Sequence, residues 1–322
     1  MKNSLIVIIT TLVTLAVVGI LVSTNISDDK KAETTTEATV SEEKASEDKK
    51  GIVINEKTLG QTINPLPTPD YITLGGEEAP LHQYDIRERL DRELLVNTYW
   101  HSSMIRMLKQ ANRYFPIIEP ILAEHGVPDD FKYLALAESG LEMSAASYAG
   151  AKGPWQFMKA ASKVYGLEVA EEVDERYHIE KSTHAAAKYL LDEKKALKSW
   201  TLAAAAYNAG RTGVRRQLER QKVENYYDLY LNTETSRYVF RILAIKQIHQ
   251  NPEKYGFYLD SSTMYQPIPT KEVEVKSIAN IAAFAKDQGT TYKEIKLLNP
   301  WLRHPKLSAR KSGKKYLVKV PI

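Results

Sequence analysis

The sequence predicts a mainly α-helical domain over residues 85–258. A small β-α-α-β module over residues 268–322 follows it, and an apolar N-terminal helix and a polar tether precede it. Three observations carry this. Apolar residues recur at helical spacing from Asp85 to Tyr255, with no alternating strand pattern between them. Alternation begins only later, at Glu272-Val273-Glu274-Val275 and Lys315-Tyr316-Leu317-Val318-Lys319-Val320, flanking two helical stripes. Leu5 to Val22 is an 18-residue run without a charge, just long enough to span a bilayer as a helix.

Bulk properties narrow the function classes. With 322 residues the chain has ample length for a real core in one or two domains. A net charge of +4 gives weak attraction to anionic surfaces, not the dense basic stripe of a nucleic-acid binder. The chain has no cysteine, which excludes disulfides, a thiolate nucleophile, Cys-ligated zinc and a lipid-anchoring lipobox.

Residues 1–22 have two readings, an uncleaved membrane anchor and a cleaved signal peptide. The run is long for a signal core and no Ala-x-Ala site follows it, which favours the anchor. Either reading exports the rest of the chain to the cell envelope. Residues 23–50 are rich in Thr, Glu, Lys and Ser without an aromatic, and read as a flexible tether. Residues 51–84 carry Pro65, Pro67, Pro69 and Pro80 and read as an irregular extension.

Ile86, Leu90 and Leu94 mark the first helix. A second is expected over Ser102 to Tyr114, and a third from Pro116 to Glu124, with proline at a tolerated first position. Trp155 to Tyr165 reads as helical. Ser182 or Thr183 is expected to cap a helix through Leu190. Another runs from Thr201 to Asn208 and stops at Gly210, and Arg237 to His249 completes the set. In the C-terminal module the stripes Ser277 to Gly289 and Thr291 to Leu298 sit between the two alternating runs.

The stretch Phe131 to Met158 holds the first chemistry. Asp129 or Asp130 can cap a short helix there, and Gly140 can end it in a left-handed conformation. Phe131, Leu134, Ala135 and Glu138 fall at i, i+3, i+4 and i+7, so Glu138 lies on the apolar face. Desolvation there favours the neutral carboxyl and raises its pKa, as a general acid requires. The competing reading is a helix-end glutamate that simply reaches water. Ser139, Ser147, Gln156, Tyr207, Asn208, Glu234 and Tyr238 supply the amides, hydroxyls and aromatic faces that a sugar site needs. Each also has a structural reading as a satisfied core or loop residue. The seven histidines are scattered, and no spacing suits a metal; neither metal nor cofactor is expected.

Four segments then occur in order. They are Glu138-Ser139, Gly150-Ala151-Lys152-Gly153-Pro154-Trp155-Gln156-Phe157-Met158, Ala206-Tyr207-Asn208-Ala209-Gly210, and Glu234-Thr235-Ser236-Arg237-Tyr238-Val239. Together they resemble the catalytic domain of the soluble-lytic-transglycosylase type, most like the membrane-bound lytic murein transglycosylase D branch. The resemblance covers about Asp85 to Gly256, including the flanks Val127-Pro128-Asp129 and Val173-Asp174-Glu175-Arg176.

That resemblance implies a lysozyme-like helical fold that cleaves peptidoglycan glycan strands. It makes Glu138 the sole catalytic acid and then base, with the substrate's acetamido group in place of a second carboxylate. The muramoyl C6 hydroxyl would close onto C1 to give a 1,6-anhydro end without consuming water. Ser147, Gln156, Met158, Tyr207, Asn208, Glu234 and Tyr238 match the family's substrate-cleft positions, and Ser139 a supporting one. Pro154 replaces the usual leucine and His178-Ile179 the usual Asp-Pro.

Residues 271–322 resemble one LysM module, including Leu298-Asn299-Pro300, but lack the usual Gly-Asp-Thr/Ser after Val275. Glycan binding and a structural cap both remain open for it. The basic run Arg303, Lys306, Arg310, Lys311, Lys314 and Lys315 fits an anionic wall or membrane surface, or a solvated face. The alternatives to a lytic transglycosylase are a hydrolytic muramidase on the same scaffold and a non-catalytic peptidoglycan-binding scaffold. The implied partners are peptidoglycan and, through the N-terminal anchor, the membrane.

Overall fold

The computed structural model describes residues 65–310 and 312–322. The expected anchor at residues 1–22, the tether at 23–50 and the start of the extension lie outside the described residues. Among the described residues no helix is long and apolar enough to cross a membrane.

The larger part of the molecule is helical. It contains α1 (Tyr84–Tyr99), α2 (His101–Glu124), α3 (Lys132–Ser139), α4 (Lys159–Val164), α5 (Ile179–Leu197), α6 (Trp200–Ala209), α7 (Arg211–Gln221) and α8 (Thr233–Gln250). The extension before α1 is not wholly irregular. It forms a small antiparallel hairpin, β1 (Thr73–Leu74) with β2 (Glu77–Glu78), and buries Ile72, Leu74, Ala79 and Leu81 in the main core. The alanine-rich α6 runs through the centre, with Ala203 to Ala206 fully buried. Side chains that small let α5, α7 and α8 pack closely around it.

Three expected boundaries are corrected. The helices predicted at Ser102–Tyr114 and Pro116–Glu124 are one helix, α2, with Pro116 and Pro120 inside it. Its buried stripe Met104, Leu108, Ala111, Phe115, Ile118 and Leu122 passes Pro116 without changing phase. Burial along that stripe outweighs the backbone bonds the prolines forgo. Trp155 to Tyr165 is helical only from Lys159. Gln156 takes φ +47°, and Lys152 pairs with Phe157 across a tight turn instead. Ser182 and Thr183 do not cap α5, which begins at Ile179; their hydroxyls donate to the Ile179 carbonyl from inside the helix. The helix α7 follows Gly210 directly and was not expected.

The C-terminal part is β-α-α-β. Strands β3 (Thr270–Val275) and β4 (Tyr316–Pro321) pair antiparallel, with Val273 opposite Val318. Helices α9 (Ile281–Asp287) and α10 (Tyr292–Leu298) lie between them in sequence, capped by Asn280 and Thr291 side chains. Ile281, Ala285, Ile295, Trp301, Leu302, Tyr316, Val318 and Val320 form a second apolar core. Val173 and Tyr177, from the helical part, belong to the same core.

Candidate active site

Glu138 occupies the last turn of α3. Neither Asp129 nor Asp130 caps this helix. Asp129 pairs with Lys132, while Asp130 accepts from the Gly75 N–H and pairs with Lys246. Gly140 ends the helix at φ +61°, as its sequence position implies. Phe131, Leu134 and Ala135 are fully buried, so the apolar face extends to a partly buried Glu138.

Helix α8 packs on α3 and brings the buried Tyr238 to it. The Tyr238 hydroxyl donates to Glu138 Oε1. Burial pushes the Glu138 carboxyl up to about 7; Tyr238 and the Arg241 guanidinium pull against this, and Glu234 adds to the rise. Glu234, Tyr238 and Arg241 fall on one face of α8. Arg241 is the member that sequence reasoning passed over, although its spacing from Tyr238 was the available signal.

Tyr207 reaches the same region from α6 and donates to the Trp155 carbonyl at 2.7 Å. Burial, with the nearby Glu138 carboxylate, pushes the hydroxyls of Tyr207 and Tyr238 well above the ordinary phenol value. Both therefore stay neutral donors at any pH where Glu138 titrates. Asn208 donates to Glu234 Oε1 at 3.2 Å and accepts from the Thr235 hydroxyl at 3.0 Å, which ties the end of α6 to the start of α8. Ser139 Oγ bonds the carbonyls of Ala135 (3.2 Å) and Pro154 (2.7 Å), joining the end of α3 to the following loop.

That loop carries Ser147, Gln156 and Met158. Ser147 is exposed and accepts from the Ala151 N–H at 3.0 Å. Gln156 Nε2 donates to the Gly153 carbonyl at 2.7 Å, within the turn that its own positive φ creates. Such a φ in a non-glycine residue costs about 1 kcal/mol or more, so the surroundings must impose it. Met158 is 46% exposed at the start of α4. The structure thus gathers Glu138, Ser139, Tyr207, Asn208, Glu234 and Tyr238. The hydrogen bonds of the Ser147 and Gln156 side chains stay inside the loop. Tyr148, beside Ser147, is fully exposed and was not singled out from sequence.

Two further features were not legible from spacing. Trp155 is buried and donates to Thr183 Oγ1 at 2.9 Å, which pins the loop to α5. His125 Nε2 and His184 Nδ1 lie 2.9 Å apart, and with Glu124 they form a group whose ligand atoms are all within 4.8 Å. The two rings satisfy each other, Glu124 is exposed, and no buried polar atom is orphaned there. Among the described residues it is the group placed to hold a metal ion.

Residues 115–229 match the family described as Transglycosylase SLT domain, and residues 271–322 the Soluble lytic transglycosylase C-terminal LysM-like domain. Membrane-bound lytic murein transglycosylase D of Escherichia coli (strain K12) is 28% identical over 238 residues. That covers 72% of this chain and 51% of the relative, so the chain spans about half the length of the curated relatives it matches. The same protein of Escherichia coli O6:H1 matches equally. Among solved structures, an inactive mutant of lytic transglycosylase Slt from Pseudomonas aeruginosa aligns at TM-score 0.37 and 21% identity, over 47% of this chain and 26% of that one. The 70 kDa soluble lytic transglycosylase of Escherichia coli aligns at TM-score 0.38 and 18% identity, over 48% and 27%. The chain is therefore a mainly helical protein with a transglycosylase SLT domain, followed by a soluble lytic transglycosylase C-terminal LysM-like domain.

Proposed function

We propose that this protein is a peptidoglycan lytic transglycosylase of the cell envelope, with Glu138 as its one acid and base. One observation carries the reading: a carboxyl at the end of α3, pushed up to about 7 by burial and hydrogen-bonded by Tyr238, within an SLT domain. Such a group still holds its proton in about half of the molecules at neutral pH and can donate it to a glycosidic oxygen.

The proposed reaction has two steps. Glu138 protonates the oxygen leaving C1 of N-acetylmuramic acid, and the C1–O bond to N-acetylglucosamine breaks. The substrate's acetamido oxygen supports the developing positive charge. Glu138, now a carboxylate hydrogen-bonded by Tyr238 and favoured by the charge of Arg241, takes the proton of the muramoyl C6 hydroxyl as that oxygen bonds to C1. The proton returns to the enzyme and no water is consumed.

Glu234 is the other carboxylate that acts on Glu138. It is exposed and engaged by Asn208, which suits a cleft residue better than a nucleophile. We assign Ser147, Gln156, Met158, Tyr207, Asn208, Glu234 and Tyr238 to substrate contact or cleft shape, and Ser139 to holding the helix end. The neutral amide and hydroxyl groups among them fit sugar hydroxyls and acetamido groups.

Digestion of purified peptidoglycan and mass analysis of the muropeptides tests this reading. Ends lighter by one water than the reducing-end products are expected. Reducing ends alone would establish the hydrolytic muramidase instead, and no cleavage would leave a binding scaffold.

A further inference from the structure

The segment from Glu168 to Glu180 faces two ways. Asp174 and Arg176 point toward the loop that carries Ser147, Gln156 and Met158. Val173 and Tyr177 point into the core of the C-terminal LysM-like module.

On the loop side, Arg176 is 4% exposed and Asp174 is 5% exposed. Arg176 Nε and Nη2 donate to the two Asp174 oxygens at 2.9 and 2.7 Å. Its Nη1 donates to the carbonyls of Gly150 (3.1 Å) and Phe157 (3.2 Å), one at each end of the turn that holds Gln156. A Cβ on Gly153 would lie 1.8 Å from the Arg176 carbonyl oxygen, so only glycine permits this approach of the two backbones. The planar guanidinium suits this arrangement, because its fork fixes the direction of every bond it makes.

On the module side, the Asp174 N–H donates to the Trp301 carbonyl at 2.9 Å, and the Arg303 N–H to the Glu172 carbonyl at 2.8 Å. The Trp301 ring stacks with His178 and with Tyr316, at centroid distances of 5.6 and 5.7 Å. Glu168 pairs with Arg310 and Lys314, Glu172 with Arg310 and Lys306, Glu175 with Lys314, and Glu180 with Lys319. The basic run therefore meets the protein's own acidic segment. Of its members, Arg303 lies over the Tyr177 ring, Lys315 pairs inside the module with Glu274, and Lys311 lies outside the described residues.

We propose that Arg176 is a positioning residue for the loop 147–158, and that the docked C-terminal module holds the segment carrying it, so that the module completes the active site. This inference rests on the reading of Glu138 as the catalytic acid for its effect on rate, but not for the mechanical coupling itself.

The test uses the full chain and two readouts. Hydrogen exchange measures the opening of residues 147–158 without reference to activity, and steady-state cleavage of peptidoglycan follows the rate. Arg176→Lys keeps the charge and loses the fork. The double variant Arg310→Ala with Lys314→Ala loosens the module from outside and decides the matter where Arg176→Lys does not fold. Lys315→Ala removes a similar surface charge paired within the module.

The expected result is several-fold faster exchange in residues 147–158 in the first two variants, joined by residues 168–180 in the double variant, with a several-fold loss of kcat, and no change in Lys315→Ala. Unchanged exchange in the loop, or acceleration spread evenly over α2, α5 and α8, would overturn the proposal. So would an equal effect of Lys315→Ala. Wild-type protein that cleaves no peptidoglycan would sink the functional reading, while the exchange comparison still decides the coupling.

Discussion

Two partly buried glutamates on the helical part of the molecule have opposite fates. Glu77, on the hairpin before α1, sits at the start of α6. Its two oxygens accept from the backbone N–H groups of Trp200 (2.6 Å) and Thr201 (2.9 Å), from both hydroxyls of Ser199 and Thr201, and from Lys194. Burial pushes its carboxyl up, but these donors outweigh it and pull the carboxyl down to about 2. Glu138, at the other end of a helix, accepts one hydrogen bond from a side chain and is pushed up to about 7. The difference lies in the donors supplied and in burial, which is deeper at Glu138. A helix start offers free N–H groups and a positive dipole end, which suits a permanently charged carboxylate. A helix end offers neither, and burial there pushes the Glu138 carboxyl up to about 7.

The contrast predicts where each substitution acts. Glu138→Gln keeps the shape and the bond from Tyr238 but removes the transferable proton. Peptidoglycan cleavage should fall by about 10²–10⁴-fold or more, with the far-ultraviolet circular dichroism unchanged. Retained cleavage would assign the acid role elsewhere. The same variant should gain stability above neutral pH. The folded state of the wild type binds the Glu138 proton more tightly than the unfolded chain. Wild-type stability therefore falls as pH rises from about 4.5 toward about 7, and stays lower above that. Glu138→Gln escapes this loss. Denaturant melts should show it about 2–3 kcal/mol more stable at pH 8 and no more stable at pH 4.

Glu77→Gln should do the reverse. Its carboxylate contributes stability that is present above about pH 4.5 and lost as pH falls toward about 2. With the side chain 28% exposed, about 1–2 kcal/mol is expected at pH 7. The gap from wild type should close in acid, and cleavage per folded molecule should not change. A rate loss in Glu77→Gln larger than its folded fraction explains would mean that the hairpin is coupled to the site.

The sequence made one of these glutamates legible and not the other. Glu138 follows Phe131, Leu134 and Ala135 at helical spacing, so its burial could be read locally. Glu77 lies more than a hundred residues from every partner that defines it, and nothing near it in the chain marks it. Tyr238 lies 100 residues after Glu138, so only the family resemblance, not local spacing, placed the two in one cleft. Helical type was legible wherever a stripe kept its phase. It failed at Trp155 to Tyr165, where Arg176 and the close approach at Gly153 impose a turn on residues of ordinary helical composition. The basic run looks outward-facing in the sequence because its acidic partners, Glu168, Glu172 and Glu175, precede it by more than a hundred residues.

The smallest effect separates the single hydrogen bond on Glu138 from its burial. Tyr238 donates to the ionised carboxylate and so holds the pKa below what burial alone would give. Removing the hydroxyl in Tyr238→Phe raises that pKa further, because the charged form loses its only side-chain donor while the pocket stays as dry. The alkaline limb of the rate profile should then move up by about half to one pH unit, with a stability loss of about 1 kcal/mol. The direction is the diagnostic part. If water replaced the phenol as donor, the site would become wetter and the limb would move down, toward the ordinary carboxyl range. An upward shift means that dryness sets the proton affinity of Glu138 and that Tyr238 trims it, whereas in Glu77 the donors set it and burial does the trimming.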